Sequence, residues 1–220
     1  MDLKKEVLEI EGEIKKRIRN ELGIRKRKKN VKKKAKDNEK MLDRISEKQT
    51  TLLFVPGVEY SETIIDMIRH LNQKKLCYVT INKTQESLKD LFKRHKISTD
   101  NIFFIDAISE SIKKIPSQTA DCYFIKSPKE FKEMLKAVSK FLSLGVDYII
   151  FDSLSNLLVY EKNYSIKKLI FPMIKQIRKY ETKAIFLVSV KEQEGLIRDC
   201  AELMDHSFVT WERAQSQLII

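Results

Sequence analysis

Little in this sequence breaks a chain or staples it. Of 220 residues only five are Gly and four Pro, which excludes collagen, Gly/Ser linkers and low-complexity proline tracts. The three cysteines, Cys77, Cys122 and Cys200, are far apart and each is set among apolar neighbours. Neither a disulfide framework nor a paired-cysteine zinc site fits that pattern, whereas a reducing cytoplasm does. No apolar run approaches the roughly 20 residues that span a bilayer. The segment from Met1 to Glu6 lacks the apolar stretch of a secretory signal. GxSxG and HExxH motifs are missing, and His70, His95 and His206 have no metal-ligand spacing. These absences lead to the expectation of a soluble cytoplasmic protein without a metal centre.

What is present is charge, and it is uneven. The chain carries a formal net charge of +12, with 34% of residues charged, yet its 11 Phe and 7 Tyr argue against global disorder. Residues 1–48 hold 18 Lys and Arg against 10 Asp and Glu, while residues 49–220 hold 25 against 21. Most of the excess therefore sits on less than a quarter of the chain. Its densest part is Arg25, Lys26, Arg27, Lys28, Lys29, Lys32, Lys33, Lys34 and Lys36, nine basic residues in twelve with no acid among them.

That first segment reads as helix from about residue 2 to 47. Leu3, Val7, Ile10 and Ile14 alternate four- and three-residue steps, the seam of a short coiled coil. Gly12 and Gly23 each weaken the helix by about 1 kcal/mol relative to Ala. The basic run beyond Gly23 admits three readings: a solvated helix face, a polyanion-binding arm or a membrane-surface segment. A membrane helix needs apolar residues opposite the charge, and few are present. Residues 1–50 have no aromatic side chain for base stacking, so nucleic acid would be held through its backbone and without sequence preference. A passive face and a polyanion partner both remain open.

From Thr51 the pattern becomes short apolar runs alternating with amphipathic stretches. Strands are predicted at 51–55, 76–82, 102–106, 121–125, 148–152 and 184–190. Helices are predicted at 61–72, 85–95, 129–144, 165–180 and 193–204. A terminal hairpin is predicted from 207–211 and 217–220. Continuous apolar strands alternating with helices imply a mostly parallel sheet covered on both faces. The expected architecture is a basic helical arm at 1–48 and a three-layer α/β domain at 49–220.

In such sheets ligands bind beyond the carboxyl ends of the strands. The first strand runs through Pro56-Gly57-Val58-Glu59-Tyr60-Ser61-Glu62-Thr63 into a helix, the place of a phosphate-binding loop. A working loop of that kind needs glycines to wrap the phosphates, Lys to neutralise them and a hydroxyl for Mg²⁺. Helix phase puts Glu62 in the Lys position and Thr63 in the hydroxyl position, with Pro56 and Ser61 in place of glycines. Two like charges at about 4 Å repel by roughly 4 kcal/mol at an effective dielectric near 20. An ordinary strand–loop–helix turn, with acids suited to a helix start, is the favoured reading. Farther on, Val146 to Ser153 is an apolar strand ending in Asp152, the form of a strand that holds Mg²⁺.

With these motifs the chain from about Thr51 to Ile220 resembles the RecA superfamily, specifically the KaiC-like, archaeal RecA-related ATPase domains. The resemblance implies a P-loop-type sheet with the strand of Asp152 beside the strand of Val55, and a tendency to form rings or filaments. It also implies a Glu after the second strand to activate water, where this chain has Ile81-Asn82-Lys83-Thr84. Gly57, Ser61, Thr63 and Asp152 would then be the remains of a nucleotide site. The expectation is a non-catalytic, pseudo-ATPase regulatory or scaffold protein without a bound cofactor, ATP and Mg²⁺ being disfavoured. It would oligomerise with itself through the coiled coil and the RecA-like domain, and engage an unknown protein partner or, through the arm, nucleic acid. The alternative is an unconventional ATPase that borrows Lys or Arg from a neighbouring subunit or from the arm.

Overall fold

Strands without a polar side to show to water must be covered twice, and the sheet of this protein is. The computed structural model describes residues 40–160, 166–189 and 200–209. The coiled-coil seam, the basic run, most of the helix predicted at 193–204 and the 217–220 arm of the hairpin lie outside them. The chain divides into two units, and the second begins at Met41. Within that second unit, residues 41–46 are helical, and Leu42 and Ile45 are buried.

The strands are β1 (Thr50–Val55), β2 (Leu76–Thr80), β3 (Ile102–Asp106), β4 (Cys122–Phe124), β5 (Tyr148–Asp152), β6 (Lys183–Ser189) and β7 (His206–Val209). They form one sheet in the order β4-β3-β2-β5-β6-β1-β7, with every pairing parallel. The longer helices are α1 (Tyr60–His70), α2 (Gln85–Arg94), α4 (Phe131–Ser143) and α6 (Ile166–Lys179). Two short ones, α3 (Ser109–Ile112) and α5 (Leu154–Tyr160), follow β3 and β5.

Alternate residues of each strand feed two cores. Leu53 and Val55 of β1 join Ile64 and Ile68 of α1 and Leu88 and Phe92 of α2 on one face. Leu52 and Phe54 join Val138 and Phe141 of α4, Leu157 of α5 and Ile174 and Ile177 of α6 on the other. Each fully buried aliphatic or Phe side chain contributes about 1.5–3 kcal/mol of transfer free energy, so covering both faces is what makes a wholly apolar strand stable.

One expectation is corrected. The strand of Asp152 is not beside that of Val55: β6 lies between them, paired with β1 on one side and β5 on the other. The apolar pattern of β6 suits any interior position, so only the crossovers through α5 and α6 decide where it inserts. The segment predicted at 207–211 forms β7, parallel to β1, while the second arm of the expected hairpin lies outside the described residues.

Candidate functional site

The carboxyl ends of β1, β2 and β5 form the edge where a ligand of this fold class would sit. After β1 the chain closes at once into a single 3-10 turn, Gly57–Glu59, which runs directly into α1. The Glu59 amide donates to the Pro56 carbonyl at 2.9 Å, and Pro56 has no amide proton to offer. Gly57 therefore opens a tight turn. Ser61 is exposed on the first turn of α1, and Thr63 is turned into the core at 5% exposure. Val58, at 92% exposure, is the apolar tip of the turn.

Asp152 ends β5 and is fully buried. Its two oxygens are each taken by a tyrosine. The Tyr60 hydroxyl donates to one at 2.5 Å and the Tyr78 hydroxyl to the other at 2.6 Å. Tyr60 is the first residue of α1, two strands away from β5 in the sheet, so its ring reaches across the end of β6. Tyr78 lies on β2, the direct neighbour of β5, two residues before Thr80, whose register partner is Asp152. Burial raises the Asp152 carboxyl above the usual range, and the two tyrosine hydroxyls and the Lys83 charge pull against that rise. Burial, reinforced by the Asp152 charge, lifts both phenols well above their ordinary value. At neutral pH both hydroxyls stay protonated and act as donors.

Lys83 stands where a water-activating Glu was sought. Its backbone amide and carbonyl both bond the Thr80 hydroxyl, at 3.2 and 2.7 Å, which fixes the turn after β2. Ser153, joined to Asp152 by a cis peptide bond, accepts from the Asn156 side chain at 3.0 Å. A second buried carboxylate on this edge, Asp106, is consumed by structure. It accepts from the amides of Gln85, Ile108 and Ser109 and from the Ser109 hydroxyl, all within 2.8 Å, and so anchors the starts of α2 and α3.

Of the residues singled out beforehand, the fold brings Asp152 to the loop of Gly57, Ser61 and Thr63, with Tyr60 as the link. The polyanion candidates from Arg25 to Lys36 lie outside the described residues. Tyr60 and Tyr78 are what reading the sequence missed. A signal existed: a Tyr inside a buried apolar strand needs a partner for its hydroxyl. Among the described residues no cluster of three or more His, Cys, Asp or Glu could hold a metal ion. No helix among them is long and apolar enough to cross a membrane.

A parallel sheet in this strand order, with helices on both faces and the loop after β1 facing the end of β5, defines an α/β protein of the RecA/KaiC-like fold. Solved structures share it, among them the following two. One is the flagellar accessory protein FlaH from Methanocaldococcus jannaschii, at 14% identity and a TM-score of 0.51, with 73% of this chain and 70% of that one covered. The other is the KaiC-like protein PH0186 from Pyrococcus horikoshii OT3, at 10% identity and a TM-score of 0.50, with the same coverage. No family model and no curated protein sequence matches the chain.

Proposed function

We propose that this protein is a non-catalytic RecA/KaiC-like protein, a pseudo-ATPase with a regulatory or scaffolding role. One observation carries the reading: Asp152, the carboxylate that Mg²⁺ would need, spends both oxygens on tyrosine hydroxyls. Tyr60 stands where the segment after β1 would otherwise wrap phosphates, so its hydroxyl covers the Asp152 oxygen on that side. The neighbouring groups do not fit a magnesium nucleotide. Glu59 and Glu62 put negative charge at the start of α1, and the loop is a single turn containing Pro56 rather than a glycine-rich cradle. Lys83 cannot take a proton from water in the way a carboxylate does.

In this reading the segment of residues 1–48 is a basic arm and residues 49–220 are the interaction domain. The arm engages a polyanion, nucleic acid in the first instance, through Arg25 to Lys36, and copies associate through the arm and the RecA-like domain. The buried cysteines Cys77, Cys122 and Cys200 suit a reducing cytoplasm.

The test is turnover of radiolabelled ATP by the purified full chain with Mg²⁺. No turnover above the buffer rate is expected, in the parent protein and in Asp152→Ala alike. Mg²⁺-dependent hydrolysis that Asp152→Ala abolishes would overturn the proposal in favour of an unconventional ATPase.

A further inference from the structure

The two helix layers differ sharply in charge. On one face, α1 and α2 carry Glu62, Asp66, Glu86 and Asp90 against Arg69, Lys89, Lys93 and Arg94, an even balance. On the other, α4 and α6 carry a single acid, Glu133, against eight Lys and Arg. This imbalance is independent of the basic run in residues 25–36.

Within α4 the excess is ordered. Lys132, Lys136 and Lys140 follow at four-residue steps and all are exposed, as is Lys129 in the turn just before the helix. At 100° per residue Lys132, Lys136 and Lys140 fall within about 80° of arc, and they span about 12 Å along the axis. Lys140 bonds the Gln118 side-chain oxygen at 2.6 Å and lies 5.7 Å from the centre of the Tyr123 ring. Both partners are neutral, so its charge is undiminished. Among the described residues no carboxylate pairs with Lys129, Lys132 or Lys136. The C-terminal end of α6 lies alongside, where the Ser143 and Tyr180 hydroxyls are 3.2 Å apart. It adds exposed Lys175 and Lys179 beside the half-exposed ring of Phe171.

We infer that the α4–α6 face is a docking surface for the phosphodiester backbone of a nucleic acid, separate from the carboxyl edge of the sheet. A row of unpaired ammonium groups gains most from a ligand with regularly spaced phosphates and condensed counterions to release. A membrane surface would draw on the exposed Leu144, Phe171 and Tyr180 of this face, but the lysine row itself, from Lys132 to Lys140, has no exposed apolar side chain to insert. Lysines without a planar fork contact phosphate rather than base edges, so binding is independent of sequence.

The experiment uses the full chain, its basic arm intact, with a fluorescein-labelled mixed-sequence DNA duplex titrated at several salt concentrations. For Lys132→Gln/Lys136→Gln/Lys140→Gln the slope of log K against log salt should fall by about 2 to 3, at roughly 0.9 per lost phosphate contact. The matching Lys→Arg triple should keep the parent slope, and so should Arg69→Gln/Lys93→Gln/Arg94→Gln on the opposite layer. Circular dichroism melts check that each variant is folded. The inference is overturned if the parent protein does not bind the duplex, or if the α4 triple keeps the parent slope, as it would with the arm alone responsible. It is equally overturned if the opposite-layer triple loses as much. A triple that binds duplex normally but no longer binds phosphatidylserine vesicles would assign the surface to membrane instead.

Discussion

A carboxylate with no exposure to water is stable only if hydrogen bonds replace the lost hydration, and at Asp152 the phenols of Tyr60 and Tyr78 do so. Removing the Tyr60 hydroxyl leaves one buried oxygen unsatisfied, and Tyr60→Phe is expected to cost roughly 1.5–3 kcal/mol in urea denaturation. The sign of the pH effect follows from the raised carboxyl. An acid whose native pKa lies above its unfolded value disfavours the fold most at high pH. That penalty fades as pH falls through the native value and is gone below the unfolded one. Asp152→Asn does not titrate, so its melting temperature relative to the parent should be most favourable near pH 8 and decline on acidification. A difference that does not change with pH would show that Asp152 keeps an ordinary pKa.

Elements are held at their ends by groups of another kind. Asp205, just before β7, accepts from the Thr50 amide at 2.8 Å and hydroxyl at 2.9 Å, and pairs with Arg178 of α6 at 2.9 Å. Burial opposes its charge, but the Thr50 bonds and the Arg178 charge prevail and pull its carboxyl below the usual range. The stability it lends is present above the unfolded carboxylate range and is lost as pH falls through the lowered native value. Asp205→Ala should therefore lower the unfolding free energy measured in urea by about 1–3 kcal/mol at pH 7 and by less near pH 3. Loss that is equal at both pH values would contradict this role.

Element positions were largely legible beforehand. Ile102–Asp106 and Tyr148–Asp152 begin and end where the apolar runs do, because a strand covered on both faces is apolar throughout. The short helices α3 and α5 were not legible. Four to seven residues are too few to display a helical period, and α3 exists largely because Asp106 caps its start.

At the scale of the domain the sheet is shared by two cores, so neither helix layer should unfold alone. Phe186 of β6 stacks on Phe151 at 5.9 Å in one core. Phe92 of α2 meets Tyr78 edge-on at 6.1 Å in the other. Phe186→Ala and Phe92→Ala should each cost about 3–5 kcal/mol, and each should shift one common transition seen by circular dichroism and tyrosine fluorescence. Two separated transitions in either variant would mean the layers are independent. The sequence alone determined the class of fold, since apolar strands alternating with amphipathic helices can bury their surface only as a layered parallel sheet. It also determined the residue types at the loop after β1 and at Asp152. Strand order was decided by tertiary structure, because buried parallel strands have interchangeable patterns and only the crossovers place β6 between β5 and β1. So was the meeting of Tyr60 and Tyr78 on Asp152, which depends on distances between residues 92 and 74 positions apart in the chain.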